Sequence, residues 1–161
     1  MRVLFLHIIL ALTLLTACTD SDVVYHNFET TPKEGWGKTD TLMMQTGEIQ
    51  ETGMYSVEMC VRITEAYPYQ ALTLMVEEVI LPRNTRTVYP VTLQIATQEG
   101  KRNKEGLTYS EFINRLNTPY VRKGESIRFN IYHKMRRTAL PGVTDVGMKV
   151  VKSYGKTTLG R

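Results

Sequence analysis

Two ten-residue stretches constrain the fold more than anything else in the chain. In "MYSVEMCVRI", Tyr55, Val57, Met59, Val61 and Ile63 fall on one side, and Ser56, Glu58, Cys60 and Arg62 on the other. In "SIRFNIYHKM", Ile127, Phe129, Ile131, His133 and Met135 alternate with Arg128, Asn130, Tyr132, Lys134 and Arg136. A period of two over that length fits a strand with one face on a core and one toward water, the pattern of antiparallel sheets. "VVYHNF", "DTLMMQT", "ALTLMVEEVI", "VYPVTLQIA" and "DVGMKVV" are further strand-like runs, separated by turns rich in Gly, Pro, Asn and Asp. The expected fold is all-β: a single antiparallel sandwich, jelly-roll-like, of seven to eight strands. One segment departs from it. In "LTYSEFINRL", Tyr109, Phe112, Ile113 and Leu116 lie at helical spacing, and Thr108 with Glu111 has the spacing of a capping box, so a short helix is expected there. The preceding "TQEGKRNKEG" is polar and reads as a solvated loop.

Ahead of the strands stands an export signal. Met1-Arg2 is a short cationic start, and Val3 to Leu15 is a 13-position apolar stretch, interrupted only by His7 and Thr13. A bilayer-spanning helix needs about 20 apolar residues, so this run is too short to be a permanent span. It ends in Leu15-Thr16-Ala17-Cys18, which resembles the lipobox of bacterial lipoproteins. That resemblance implies a diacylglyceryl thioether on Cys18, cleavage before it and acylation of the new amino group. The thiolate is the nucleophile such a modification needs, and several acyl chains together hold a protein stably on a bilayer. The expected organisation is a lipoprotein signal peptide at 1–17, the lipidated cysteine with a short tether at 18–22, a sandwich at 23–152 and a tail at 153–161.

Removing residues 1–17 leaves 161 − 17 = 144, enough for one domain with a real core. Arg2 leaves with the signal, so the mature charge is 19 − 16 = +3. So mild a basicity does not call for nucleic acid as a partner. With Cys18 lipidated, Cys60 has no cysteine left to pair with inside the chain, and the core must hold by packing.

Three motifs then carry a resemblance. "HKMRRTALPGVTDVGMKV" has a Met-Arg pair closing a long strand, a Leu-x-Gly-Val turn and Asp-Val-Gly opening the last strand. "YPYQALTL" follows the strand that ends at Arg62, and "WGKTD" supplies Trp, Lys and Asp in an early turn. Together, in this order and behind a lipobox, residues from about 25 to 151 resemble the GldH family of gliding-motility lipoproteins of the Bacteroidetes. The resemblance implies an envelope accessory lipoprotein linked to motility or secretion machinery, with other envelope proteins as partners. It implies no catalysis, cofactor or small-molecule substrate.

The candidate contact residues are Trp36, Tyr67, Tyr69, Arg136 and Asp145. Loop aromatics at one end of a sandwich stack on sugar rings or anchor protein interfaces, so a glycan-binding module is the alternative function. The plainer reading is that Trp36, Tyr67 and Tyr69 all pack over the sandwich end, with Pro68 fixing the turn. Met135-Arg136 and Asp145-Val146-Gly147 fit either a partner site or a structural turn, with Gly147 marking a bulge or a close backbone approach. Arg128, Lys134, Arg136 and Arg137 form either a solvated face or one that lies against anionic headgroups. Cys60 reads as a small packed hydrophobe rather than a nucleophile acting with His133 or His26, and the mature histidines have no metal-ligand spacing. The expected location is the outer membrane, facing the periplasm, with two acidic residues in "CTDSD" leaving surface exposure open.

Overall fold

The computed structural model describes residues 22–101 and 108–154. Eleven strands run in chain order: β1 (Val23–Thr30), β2 (Trp36–Gly37), β3 (Leu42–Gln45), β4 (Gly53–Ile63), β5 (Ala71–Leu81), β6 (Thr85–Gln94), β7 (Ser110–Arg115), β8 (Tyr120–Val121), β9 (Ser126–His133), β10 (Ala139–Leu140) and β11 (Val143–Ser153). β2, β8 and β10 are two-residue pairings. β2 and β10 pair only with each other, and the other nine strands form the two sheets of the sandwich. One sheet has the order β1-β11-β4-β7 with β8 also on β4, and the other the order β3-β9-β5-β6. Every pairing in both is antiparallel.

Binary patterning accounts for the core. From the first sheet Tyr55, Val57, Met59, Val61, Val146, Met148 and Val150 point inward, and from the second Leu72, Leu74, Val76, Ile127, Phe129 and Ile131, all almost fully buried. At about 25 cal/mol per Å² of apolar surface removed from water, this cluster is the main source of stability in a domain whose described part has no cysteine pair.

The expected helix is replaced by β7. Residues 110–115 pair with β4 in the register Val61↔Phe112 and Cys60↔Ile113. Phe112 is buried while Ile113 is 57% exposed, an alternation no helical face would give. The physical reason is the edge of β4: without β7, the backbone groups of a central, buried strand would lack ladder partners. Residues 102–106 of the expected loop and Leu107, the first residue of the expected helix, lie outside the described residues, as do the signal segment and Cys18.

Glu78 breaks the pattern. It points between the sheets, 3% exposed, and its Oε1 accepts a hydrogen bond from Asn117 Nδ2 at 3.1 Å. Asn117 Oδ1 in turn accepts one from the Tyr89 hydroxyl at 3.4 Å. Burial holds the Glu78 carboxyl above the usual carboxylate range, partly opposed by the Asn117 hydrogen bond.

Candidate functional site

The three motifs, far apart in sequence, meet at one end of the sandwich. "WGKTD" closes on itself: Asp40 Oδ2 accepts from the Gly37 amide at 3.1 Å, and the Asp40 carbonyl accepts from Trp36 Nε1 at 3.1 Å. Two-residue β2 pairs with β10, matching Trp36 to Leu140, and the Lys38 amide donates to the Thr138 carbonyl at 2.7 Å. The turn at Pro141-Gly142 then lies against the start of the "YPY" segment, where the Gly142 carbonyl accepts from the Thr64 amide at 2.8 Å. Gly142 has φ +80°, and a Cβ there would sit 2.2 Å from the Tyr67 backbone nitrogen. Glycine is the residue that satisfies both constraints.

His133 ties this end to the core. Its ring stands edge-on to Trp36, centroids 5.5 Å apart. Nε2 lies 3.1 Å from the Trp36 carbonyl, which can only accept, so Nε2 carries the hydrogen. Burial lowers the basicity of the ring, the Trp36 hydrogen bond opposes this and the charge of Lys38 adds to it. His133 is therefore a structural, neutral donor.

The structure separates the candidate contacts. Trp36 is fully buried and Tyr67 is 3% exposed, so neither ring has a face for a ligand. The Tyr67 hydroxyl donates to the Ala71 carbonyl at 2.7 Å, and burial raises its pKa. Tyr69 is 37% exposed, edge-on to Tyr67 at 5.7 Å, and borders a cleft of about 240 Å³ with Pro68 and Gln70. Arg136 is exposed, as are Lys38, Lys134 and Arg137. The ion pairs among the described residues do not include these four. Asp145 Oδ1 accepts from the Thr30 hydroxyl at 3.0 Å on the outer face of the first sheet.

The close approach expected at Gly147 is made on that face, by an aromatic ring rather than by backbone. Gly147 aligns with Phe28 on one side and Cys60 on the other, and Cys60 with Ile113. The Phe28 ring lies over Gly147, where a Cβ would come within 2.6 Å of it. The Arg62 guanidinium sits 3.9 Å from the Phe28 ring centroid and 5.0 Å from that of Tyr109, and pairs with Glu111 at 3.1 Å. Cys60 thus faces outward beneath this row, while His133 faces the core from the other sheet, so the two do not form a reactive pair.

The domain's axis gives these features their direction. Along β4, the Gly53 end adjoins Ser153, Lys152 and Asp22, and the Ile63 end adjoins Val143 and the motif cluster. The two ends are about 33 Å apart at a strand rise of about 3.3 Å per residue. The N-terminal residues thus enter at the end opposite the motifs. Lys134, Arg136 and Arg137, read above as a possible headgroup-facing surface, belong to the far end.

Among the described residues no three His, Cys, Asp or Glu side chains gather as metal ligands. The fold is an antiparallel sandwich closed at one end by the motif cluster, in which Trp36 and Tyr67 are packed while Tyr69 and Arg136 are exposed. The chain belongs to the GldH lipoprotein family, whose profile matches residues 23–150. It is an envelope lipoprotein of accessory, non-catalytic kind. No curated protein matches the sequence. Among solved structures it is similar to the Eiger TNF of S. frugiperda, with 8% identity, 87% of this chain and 99% of that chain covered, and a TM-score of 0.36. It is also similar to the VP2 subviral particle of infectious bursal disease virus, with 12% identity, 80% of this chain and 30% of that one covered, and a TM-score of 0.37.

Proposed function

We propose that this lipoprotein is an accessory component of envelope machinery, of a motility or secretion kind, and that it engages protein partners through the end where its motifs converge. In this reading a diacylglyceryl Cys18 holds the domain on the outer membrane, facing the periplasm. The observation that carries it is polarity: Lys38, Lys134, Arg136 and Arg137 are exposed around the motif cluster, about 33 Å along β4 from the end where the N-terminal residues enter. Exposed Glu34, Asp40 and Glu65 share these loops, so the basic side chains are in excess rather than alone, and in this reading the Lys134-Arg136-Arg137 edge faces an acidic surface on a partner. Electrostatic complementarity of that kind favours encounter and orientation. Tyr69 adds an exposed aromatic anchor beside it. The glycan reading loses two of its three rings, because Trp36 and Tyr67 are buried.

The test is co-purification after mild detergent extraction, comparing the native chain with Arg136→Glu/Arg137→Glu. Loss of the same envelope proteins from the variant, with its circular dichroism unchanged, supports the reading. Equal recovery by both proteins, or an isolated monomer under cross-linking, counts against it. Mass spectrometry of the mature N-terminus tests acylation at Cys18, and protease shaving of intact cells tests the face.

A further inference from the structure

We propose that the end of the sandwich nearest Cys18 is itself a lipid-contacting surface that seats the domain on the bilayer. This rests on the reading of Cys18 as the anchor and adds a second, non-covalent contact to it. Four exposed apolar or aromatic side chains gather here: Val24 at 40%, Met54 at 43%, Tyr120 at 50% and Tyr154 at 66%. Met54 aligns with Ser153 on β11 and with Tyr120 on β8, so Met54 and Tyr120 are neighbours across the sheet. The Tyr154 hydroxyl donates to Asp22 Oδ1 at 3.0 Å, which stands its ring beside the residue that leads back to Cys18.

Charge at this end suits headgroups. Exposed Arg122 and Lys123 sit on the turn before β9, and the Lys123 amide donates to Thr52 Oγ1 at 2.9 Å, beside the start of β4. The acids nearby are partly engaged: Glu51 pairs with Lys152, and Asp22 accepts from Tyr154, leaving Glu48 exposed. Tyrosines at the headgroup level, with basic residues among them, are the usual composition of a protein surface at a membrane interface.

The occupant follows from the length of chain between anchor and fold. Three residues, Thr19, Asp20 and Ser21, lie between Cys18 and Asp22, so the four steps from one to the other reach at most about 14 Å. Met54 and Tyr154 lie at the same end of the sheet as Asp22, and Tyr120 is paired with Met54, so a tether that short keeps all three within reach of the bilayer.

The experiment uses the full mature lipoprotein in vesicles of phosphatidylethanolamine and phosphatidylglycerol, with and without brominated acyl chains. Trp36 is the chain's one tryptophan and is buried at the far end, which makes it an internal control. Tyr120→Trp and, separately, Tyr154→Trp add a reporter at exposed positions. The expected result is loss of most of the added emission in brominated vesicles with Trp36 emission unchanged, and recovery of the added emission when Arg122→Glu/Lys123→Glu is combined with either reporter. Emission from both reporters equal in the two vesicle types, in protein that floats with the vesicles, overturns the proposal while leaving the anchor intact. Protein that does not float overturns the anchor reading, and this one with it.

Discussion

A Cβ placed on Gly142 would lie 2.2 Å from the backbone nitrogen of Tyr67 and 2.6 Å from its Cα. Both are backbone atoms, so no side chain can swing aside. Gly142→Ala must move the "YPY" segment off the turn and also hold alanine at φ +80°. The expected cost is about 3 kcal/mol, read as a lower denaturant midpoint with Trp36 emission as the probe.

Gly147 presents a softer conflict, because what a Cβ would meet is the Phe28 ring. Gly147→Ala should displace that ring from beneath Arg62 and cost about 1–2 kcal/mol. Phe28→Ala in the same background should remove most of the penalty. The double-mutant cycle checks this: strictly additive effects would show that the ring is not what the glycine accommodates.

Glu78 costs stability once it is ionised. Its folded pKa is raised above the ordinary 4.5 by burial, so the native state holds the proton more tightly than the unfolded chain does. Stability from this group is therefore complete below the ordinary value and is lost as pH rises through the folded one. Glu78→Gln keeps an acceptor for Asn117 and carries no charge. It should be more stable than the parent by about 1 kcal/mol at neutral pH, with the gain vanishing in acid. Denaturant titrations at a series of pH values measure it.

His133 has the opposite sign. Burial lowers its folded pKa below 6.5, so its contribution is complete above the ordinary value and is lost as pH falls through the folded one. Between the two ordinary values, 4.5 and 6.5, Glu78 and His133 pull stability in opposite directions. In Glu78→Gln, acidification should therefore lower the midpoint more steeply than in the parent. Because the histidine bonds the Trp36 carbonyl, a red shift of Trp36 emission should accompany the loss.

How much was legible in the residues varies along the chain. The seven strand-like runs lie on β1, β3, β4, β5, β6, β9 and β11, because a strand buried on one face writes its environment at every second residue. β7 was misread because Tyr109, Phe112, Ile113 and Leu116 fit a helical period, and nothing within ten residues reveals the unfilled edge of β4. Trp36 sits in a turn, where periodicity carries no information about exposure.

Alternation and the lipobox are local patterns, so the chain itself carries the all-β class, the inward-facing residues and the candidate anchor. The meeting of Trp36, Tyr67 and Gly142, the stack of Phe28 between Gly147 and Arg62, and the opposition of the motif end to the N-terminal end were decided only by tertiary structure. Each depends on contacts between residues tens of positions apart, whose geometry comes from the sheet order and register that packing selects.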